Sequence, residues 1–177
     1  MKHVLIISSS PRKKGNSDLL CDQFAKGAKE KGNKVRKIRI ADKKIAYWTD
    51  PDTKKKDEVA EEDDAPKILA QMQKADVIVF ASPVYFYSIC GQLKVLFDRS
   101  FSIFPDLKKK QYYFLITMQD SNREMFEGPI KAMQGFLDCF PGSKLKGMIC
   151  ADSVGAKGAV KKTKFFEEAY KLGKKVK

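Results

Sequence analysis

Residues 4–18, with the sequence VLIISSSPRKKGNSD, decide the fold class of this chain. The apolar run Val4–Ile7 is typical of a buried strand, and a helical pattern that includes Leu20 and Phe24 begins directly after the turn. A hydroxyl-rich turn, residues 8–17, lies between them. The amides at the start of a helix are unpaired and lie at the positive end of its dipole, so this turn favours a phosphate monoester.

Six side chains of the turn are candidate phosphate ligands. Hydroxyl and amide donors come from Ser8, Ser9, Ser10, Asn16 and Ser17, and Arg12 supplies a charged guanidinium. The same residue types are common in turns, and Asn16 or Ser17 could instead cap the helix, so the pattern alone supports both interpretations. The turn has neither of the glycine-rich motifs G-x-G-x-x-G and G-x-x-x-x-G-K-[ST], so hydroxyls and backbone groups would hold the phosphate.

Strands and helices alternate along the rest of the chain. Periodicity predicts further strands and five helices, with strands at 35–40, 77–81, 112–118 and 145–151 and helices at 17–31, 66–74, 89–103, 123–140 and 162–175. This alternation predicts an α/β fold, a doubly wound five-stranded parallel sheet of order 2-1-3-4-5 with helices on both faces. A length of 177 residues and a hydrophobic content of 43% suit a single domain, 1–177.

The carboxyl ends of the first, third and fourth strands are neighbours in this topology, and ligands of such sheets bind there. After the third strand come Pro83, Val84, Tyr85 and Phe86, which could present backbone amides and flat rings to a planar ligand. Met118 ends the fourth strand. A phosphate at the first end and a ring at the other two describe a bound mononucleotide, and FMN fits better than ATP because a lysine-bearing cradle is lacking. A hydrophobic dimer seam is a compatible alternative for the aromatic loop.

A charged insertion at about 41–66 separates the second strand from its helix. It contains Tyr47, Trp48 and a run of acidic residues that ends at Asp63 and Asp64. We expect a flap or a dimer-contact element, with a solvated insertion as the alternative. In an acidic run of this kind, we expect Asp63 and Asp64 to be solvated rather than to bind metal.

Composition excludes several classes of protein. The formal charge of +13 is spread over many lysines without a nucleic-acid-binding motif, so we expect no specific nucleic-acid partner. The four cysteines are scattered, and His3 is the single histidine. We therefore expect reduced core thiols in a cytoplasmic protein, with no bound metal ion. Apolar runs are too short for membrane insertion, and no secretory leader is evident.

The residues quoted above resemble a known family. The stretches 10–17 and 82–86, followed by GQLKVLFDR at 91–99, resemble the flavodoxin-fold NAD(P)H-dependent FMN reductases, and most closely the branch that includes the iron-sulfur flavoproteins. The resemblance covers most of residues 1–120. It implies a flavodoxin-like fold with FMN as cofactor and NAD(P)H as co-substrate, and it implies a homodimer.

The resemblance also implies roles for individual residues. Ser10, Arg12, Asn16 and Ser17 would hold the FMN phosphate, while residues 83–86 would run along the isoalloxazine ring. It implies packing, capping or dimer roles for three residues of the next helix, Lys94, Asp98 and Arg99. Tyr47 and Trp48 would cover the flavin or the partner subunit. The stretch 45–57 lacks the cysteine cluster of the iron-sulfur branch, so we expect no iron-sulfur cluster.

These expectations describe an oxidoreductase that transfers hydride through the flavin to a small-molecule electron acceptor. The acceptor could be quinone-like, nitroaromatic, a free flavin or a metal ion. No side-chain nucleophile or acid-base pair is required. The alternatives are a non-enzymatic FMN electron carrier and a flavin-free binding protein that retains the fold.

Overall fold

Five parallel strands form a central sheet in the computed structural model, which describes residues 1–49 and 63–177. In chain order these strands are β1 (His3–Ser8), β2 (Lys34–Arg39), β3 (Val77–Tyr85), β5 (Gln111–Thr117) and β6 (Lys144–Ala151). A two-residue strand, β4 (Ser88–Ile89), pairs antiparallel with β3. The sheet order is β2-β1-β3-β5-β6, so the predicted order of the five parallel strands, 2-1-3-4-5, is confirmed.

Five helices cover the two faces of the sheet: α1 (Asn16–Glu30), α2 (Ala65–Lys74), α3 (Gly91–Arg99), α4 (Glu127–Asp138) and α5 (Lys164–Gly173). Alternate residues of each strand face opposite sides. In β1, Leu5 and Ile7 pack with α2, α3 and α4, whereas Val4 and Ile6 pack with α1 and α5. The continuous apolar runs of the sequence therefore follow from a sheet that is buried on both faces.

The hairpin after β3 differs from the predicted boundaries. β3 extends through Tyr85 rather than ending at residue 81, because residues 84–85 pair with β4. α3 ends at Arg99, and a 3-10 segment, Ser100–Leu107, replaces the last turn of the helix predicted at 89–103. Pro105 lies in that segment and cannot donate to an α-helical ladder.

The side chain of Asp63 is buried, which corrects the expectation of a solvated carboxylate. Its side chain is 3% exposed and pairs with Arg99. The carboxylate also accepts hydrogen bonds from the backbone amides of Ala46 (2.9 Å) and Ala65 (3.0 Å). Burial alone would raise the pKa of Asp63, but the hydrogen bonds from Arg99 and these amides bring it below its ordinary value. The rest of the predicted acidic run, residues 57–62, lies outside the described residues.

None of the helices in the described ranges, 1–49 and 63–177, has the length and apolar character needed to cross a membrane.

Candidate functional site

A cleft of about 160 Å3 lies at the carboxyl edge of the sheet, where β1, β3 and β5 end. Of the nine residues predicted to bind the cofactor, eight line it: Ser10, Arg12, Asn16, Ser17, Pro83, Val84, Tyr85 and Met118. The structure thus brings three separate parts of the sequence into one site. The ninth residue, Phe86, does not line the cleft.

The turn after β1 is fixed by its own hydrogen bonds. The Ser9 hydroxyl donates to the backbone carbonyl of Ala81 (2.6 Å), and the Ser10 hydroxyl accepts from the Arg12 amide (3.2 Å). Gly15 is the residue that precedes α1, and no side chain caps the helix there, contrary to the proposed capping by Asn16 or Ser17. The helix start is therefore open to an anionic ligand.

Ser17 carries the strongest indication of a missing ligand. The residue is 1% exposed, and its hydroxyl oxygen has no hydrogen-bond partner among the described residues. A buried hydroxyl without a partner costs about 1–3 kcal/mol. Because Ser17 lines the cleft in the first turn of α1, a phosphate oxygen there would satisfy it. The residues present therefore fit a phosphate-bearing cofactor.

Asp18 stabilises the turn through buried polar contacts, a role that the sequence patterns did not predict. Its buried carboxylate accepts hydrogen bonds from the Ser8 hydroxyl (2.7 Å) and the Lys14 amide (3.0 Å). Lys37 and Arg39 of β2 form ion pairs with it at 2.8 and 3.0 Å. Burial alone would raise the pKa of Asp18, but the hydrogen bonds from Lys37 and Ser8 bring it below its ordinary value. These contacts connect the turn and the start of α1 to β2.

A second unpredicted element is the loop after β6, which closes one side of the cleft through Val154 and Gly155. The Asn16 amide group donates to the carbonyls of Val154 (2.6 Å) and Ala156 (2.9 Å), and its oxygen accepts from the Val160 amide (3.2 Å). The Asn16 side chain therefore anchors this loop, and its predicted contact with a phosphate stays a prediction.

Gln119 follows the end of β5 and lies next to Gly155 of this loop. A Cβ atom added at Gly155 would lie 2.6 Å from the Gln119 side chain, so only glycine fits without a shift of that side chain. Thr117, Met118 and Gln119 all line the cleft. The end of β5 was expected there, but Gln119 itself was not assigned a role.

The β3–β4 hairpin forms one wall of the cleft. Pro83, Val84 and Tyr85 line it, whereas Phe86 is 99% exposed at the tip of the hairpin and does not line the cleft, so its predicted contact with the ring stays a prediction. Phe86 and Tyr87 both have left-handed backbone conformations, with φ of 46° and 61°. Bulky residues rarely adopt such angles, and strain of this kind is concentrated at functional sites.

The tip of the hairpin packs closely against α4. A Cβ atom added at Gly128 would lie 2.0 Å from the carbonyl oxygen of Tyr87. On the other side of the hairpin, the Ser82 hydroxyl accepts a hydrogen bond from the Cys90 amide (2.9 Å). The hairpin wall of the cleft is therefore held in place by α4 and by the start of α3.

The helix residues singled out by the resemblance have structural roles. Lys94 and Asp98 form an exposed ion pair one turn apart, and Arg99 binds Asp63 and the Ala46 carbonyl (3.0 Å). Tyr47 and Trp48 do not line the carboxyl-edge cleft. They lie instead beside α3 and line a separate cavity.

Burial raises the pKa of Cys21 to about 12 and that of Cys150 to about 11, so neither of these two thiols is a reactive thiolate near neutral pH. In the described part of the chain, no three His, Cys, Asp or Glu side chains are placed to hold a metal ion.

Comparison with known proteins identifies the family. A model of the NADPH-dependent FMN reductase family matches residues 2–124. An iron-sulfur flavoprotein of Archaeoglobus fulgidus is 36% identical over 100 residues, which are 56% of this chain and 45% of that protein. One from Methanocaldococcus jannaschii is 38% identical over 98 residues, 55% of this chain and 51% of that protein. The chain spans about half the length of these curated relatives.

Solved structures show the same fold across nearly the whole chain. An azoreductase from Bacillus anthracis aligns with a TM-score of 0.76 at 18% identity, over 99% of this chain and 100% of the other. An NAD(P)H:quinone oxidoreductase from Methanothermobacter marburgensis aligns with a TM-score of 0.73 at 15% identity, over 98% and 94%. The flavodoxin-like α/β fold is therefore confirmed. Because the family match extends over more than half of its residues, the chain belongs to the NADPH-dependent FMN reductase family.

Proposed function

We propose that this chain binds FMN in the carboxyl-edge cleft and uses it to oxidise NAD(P)H. The observation that carries the proposal is the buried hydroxyl of Ser17, which lacks a partner among the described residues and lines the cleft at the start of α1. Family membership supports the same cofactor independently.

The cleft has a charged end and an apolar side. Ser10, Arg12 and Ser17 would hold the phosphate, because they supply two hydroxyls and a guanidinium at the open helix start. Pro83, Val84 and Tyr85 would lie against the ring.

When bound, FMN supplies the redox chemistry, accepting a hydride from the nicotinamide and passing electrons to an acceptor. The described residues that line the cleft include no Asp, Glu, His or Lys. The protein therefore binds and orients the reactants and excludes water, with no side-chain acid or base required. We infer an acceptor that takes its protons from solvent on reduction, namely a quinone, a nitroaromatic, an azo compound or a flavin, or a metal ion, which needs no proton.

The relatives' iron-sulfur cluster does not form part of this proposal. A cluster requires thiolate ligands, and residues 41–66 contain no cysteine. We further propose that the chain forms a homodimer, because its aromatic hairpin tip projects from the surface beside the cleft.

Flavin content and NAD(P)H oxidation test the proposal. The purified protein should be yellow or should quench FMN fluorescence on binding, and it should oxidise NADPH or NADH when a quinone is present. A protein that binds FMN but does not turn over nicotinamide would be an electron carrier. A folded protein that does not bind FMN would be a flavin-free protein that retains the fold.

A further inference from the structure

The two halves of the carboxyl-edge cleft come from different elements, and a buried contact joins them. Residues 10–17 belong to the turn after β1 and the start of α1, whereas residues 83–85 belong to the β3–β4 hairpin. Ser9 directly precedes the first half, and Cys90 directly follows β4. The Cys90 sulfur lies 3.0 Å from the hydroxyl oxygen of Ser9 and 3.5 Å from its carbonyl oxygen. Both residues are 0% exposed, so the two halves are connected inside the protein.

The thiol of Cys90 is the donor in this contact. The Ser9 hydroxyl has a single hydrogen, which it donates to the carbonyl oxygen of Ala81 at 2.6 Å. The oxygen of that hydroxyl can therefore only accept from Cys90, and the S–H group of Cys90 is directed at Ser9. A side chain that keeps a donor at position 90 preserves the contact, whereas one that has no donor removes it.

The hairpin extends beyond the central sheet, so its position depends on contacts of this kind. β3 pairs with β1 up to Ala81 and with β5 up to Pro83. In the described part of the chain, residues 84–85 pair with β4 alone. A two-stranded hairpin is marginally stable by itself. Its tip packs on α4, and Cys90 connects its other end to the turn after β1.

The backbone of Cys90 belongs to the same junction. Its amide donates to the Ser82 hydroxyl (2.9 Å), and that hydroxyl donates to the carbonyl oxygen of Pro83 (2.7 Å). Cys90 thus contacts the turn after β1 through its side chain and the beginning of the hairpin wall through its amide. The residue itself does not line the cleft, so any effect on a ligand passes through Ser9 and the hairpin.

We propose that Cys90 is a positioning residue, which fixes the distance between the phosphate end of the cleft and its hairpin wall. The inference rests on the proposed binding of FMN, since that ligand would occupy both halves at once. When two subsites are held at a fixed separation, a ligand that spans them binds its second part at a high effective concentration. If the hairpin shifts relative to the turn, this advantage falls, although each half still binds its own part of the ligand.

Three ligands distinguish positioning from a purely structural role. FMN spans both halves of the cleft, lumiflavin carries the ring alone, and inorganic phosphate carries the anion alone. We expect Cys90→Ala to weaken FMN about tenfold, and lumiflavin and inorganic phosphate each by less than about twofold. Cys90→Ser keeps a donor and should bind FMN within about threefold of the wild type. Fluorescence quenching measures the flavin affinities, and the rise in melting temperature with phosphate concentration measures the third.

Cys21→Ala is the matched control, because Cys21 is equally buried but belongs to α1 and does not line the cleft. It should leave the ratio of FMN affinity to lumiflavin affinity unchanged. Cys90→Val fills the space of the thiol without a donor and replaces Cys90→Ala in the comparison if that variant does not fold.

Three results would overturn the inference while leaving FMN binding intact. These are an unchanged FMN affinity in the donor-free variant, equal losses of FMN and lumiflavin affinity, and a Cys90→Ser protein that binds FMN as weakly as the donor-free variant. A wild-type protein that is folded but binds neither flavin would contradict the proposed function itself, and this inference with it.

Discussion

The guanidinium of Arg12 donates a hydrogen bond of 3.1 Å to the carbonyl oxygen of Gly155, and so joins the turn after β1 to the loop after β6. Both residues line the candidate flavin cleft, and Arg12 is the one cationic residue among the described residues that line it.

Replacing Arg12 should weaken the binding of FMN much more than the binding of riboflavin. FMN carries a phosphate and riboflavin does not, and a charge-assisted hydrogen bond contributes about 1.5–3 kcal/mol. We expect Arg12→Ala to weaken FMN by roughly 10- to 100-fold, and riboflavin by less than about threefold, in fluorescence-quenching titrations. Lys13→Ala removes the same charge from the adjacent exposed residue and is the matched control. Equal losses for both flavins would show that the phosphate does not bind at this turn.

Ser17→Ala should lower the affinity for FMN without lowering the free energy of unfolding. The variant removes a buried hydroxyl that lacks a partner, so the free energy of unfolding without flavin should stay constant or rise by up to about 1 kcal/mol. FMN affinity should fall about tenfold. Ser9→Ala is the contrast, since its hydroxyl donates to Ala81 and its loss should destabilise the protein by about 1 kcal/mol. Urea unfolding and FMN titration measure both effects; a destabilised Ser17→Ala protein would contradict the assignment.

Asp18→Asn should destabilise the protein by roughly 2 kcal/mol near pH 7. The loss is moderate because Lys37 and Arg39 keep second carboxylate partners, Asp22 and Asp42. The pKa of Asp18 is lowered in the folded state from an ordinary value of 3.8, so in acid the unfolded chain takes up its proton first. The stabilisation is therefore present above about pH 4 and is lost as the pH falls further.

Urea unfolding at several pH values checks this linkage. The difference between wild type and Asp18→Asn should be constant at neutral pH and should shrink below about pH 4. A difference that grows in acid would mean that another group causes it.

Two glycines in helices should respond oppositely to alanine. A Cβ atom at Gly27 of α1 would lie 2.1 Å from the carbonyl oxygen of Tyr170 in α5, whereas one at Gly135 of α4 would meet nothing within 4 Å. Gly27→Ala should therefore destabilise the protein by about 2–3 kcal/mol, and Gly135→Ala should stabilise it by up to about 1 kcal/mol. Thermal unfolding monitored by circular dichroism distinguishes them. Similar melting temperatures for the two variants would contradict the close packing of α1 on α5.

Local sequence patterns were sufficient for the fold and for most of the cleft. The three central strands, β1, β3 and β5, each contain an unbroken apolar run, and parallel topology brings their ends together without any further information. Ser10, Arg12 and Ser17 were therefore predictable from one turn. The resemblance to the reductase family was carried by the same residues and is confirmed by the family match.

The features that were missed depend on contacts between distant residues. Asp63 stands in an acidic run, and its burial is decided by Arg99, which is 36 residues away. Lys37 and Arg39 look like ordinary strand charges until β2 places them beside Asp18. Gly155 belongs to a short loop without a motif, so nothing in its own sequence indicated the cleft.

At Phe86, the backbone conformation that an aromatic residue prefers differs from the one that the fold requires. A bulky aromatic residue disfavours a left-handed backbone, so no sequence rule predicts a two-residue turn at Phe86 and Tyr87. The turn is imposed by the pairing of β3 with β4 and by the contact of Tyr87 with Gly128.

Calorimetric titration of the folded, flavin-free chain with FMN tests the central claim most directly. We predict saturable binding of one FMN per chain, with riboflavin clearly weaker under the same conditions. If circular dichroism shows an intact α/β fold while FMN produces no binding heat and no fluorescence quenching, the carboxyl-edge cleft is not a flavin site.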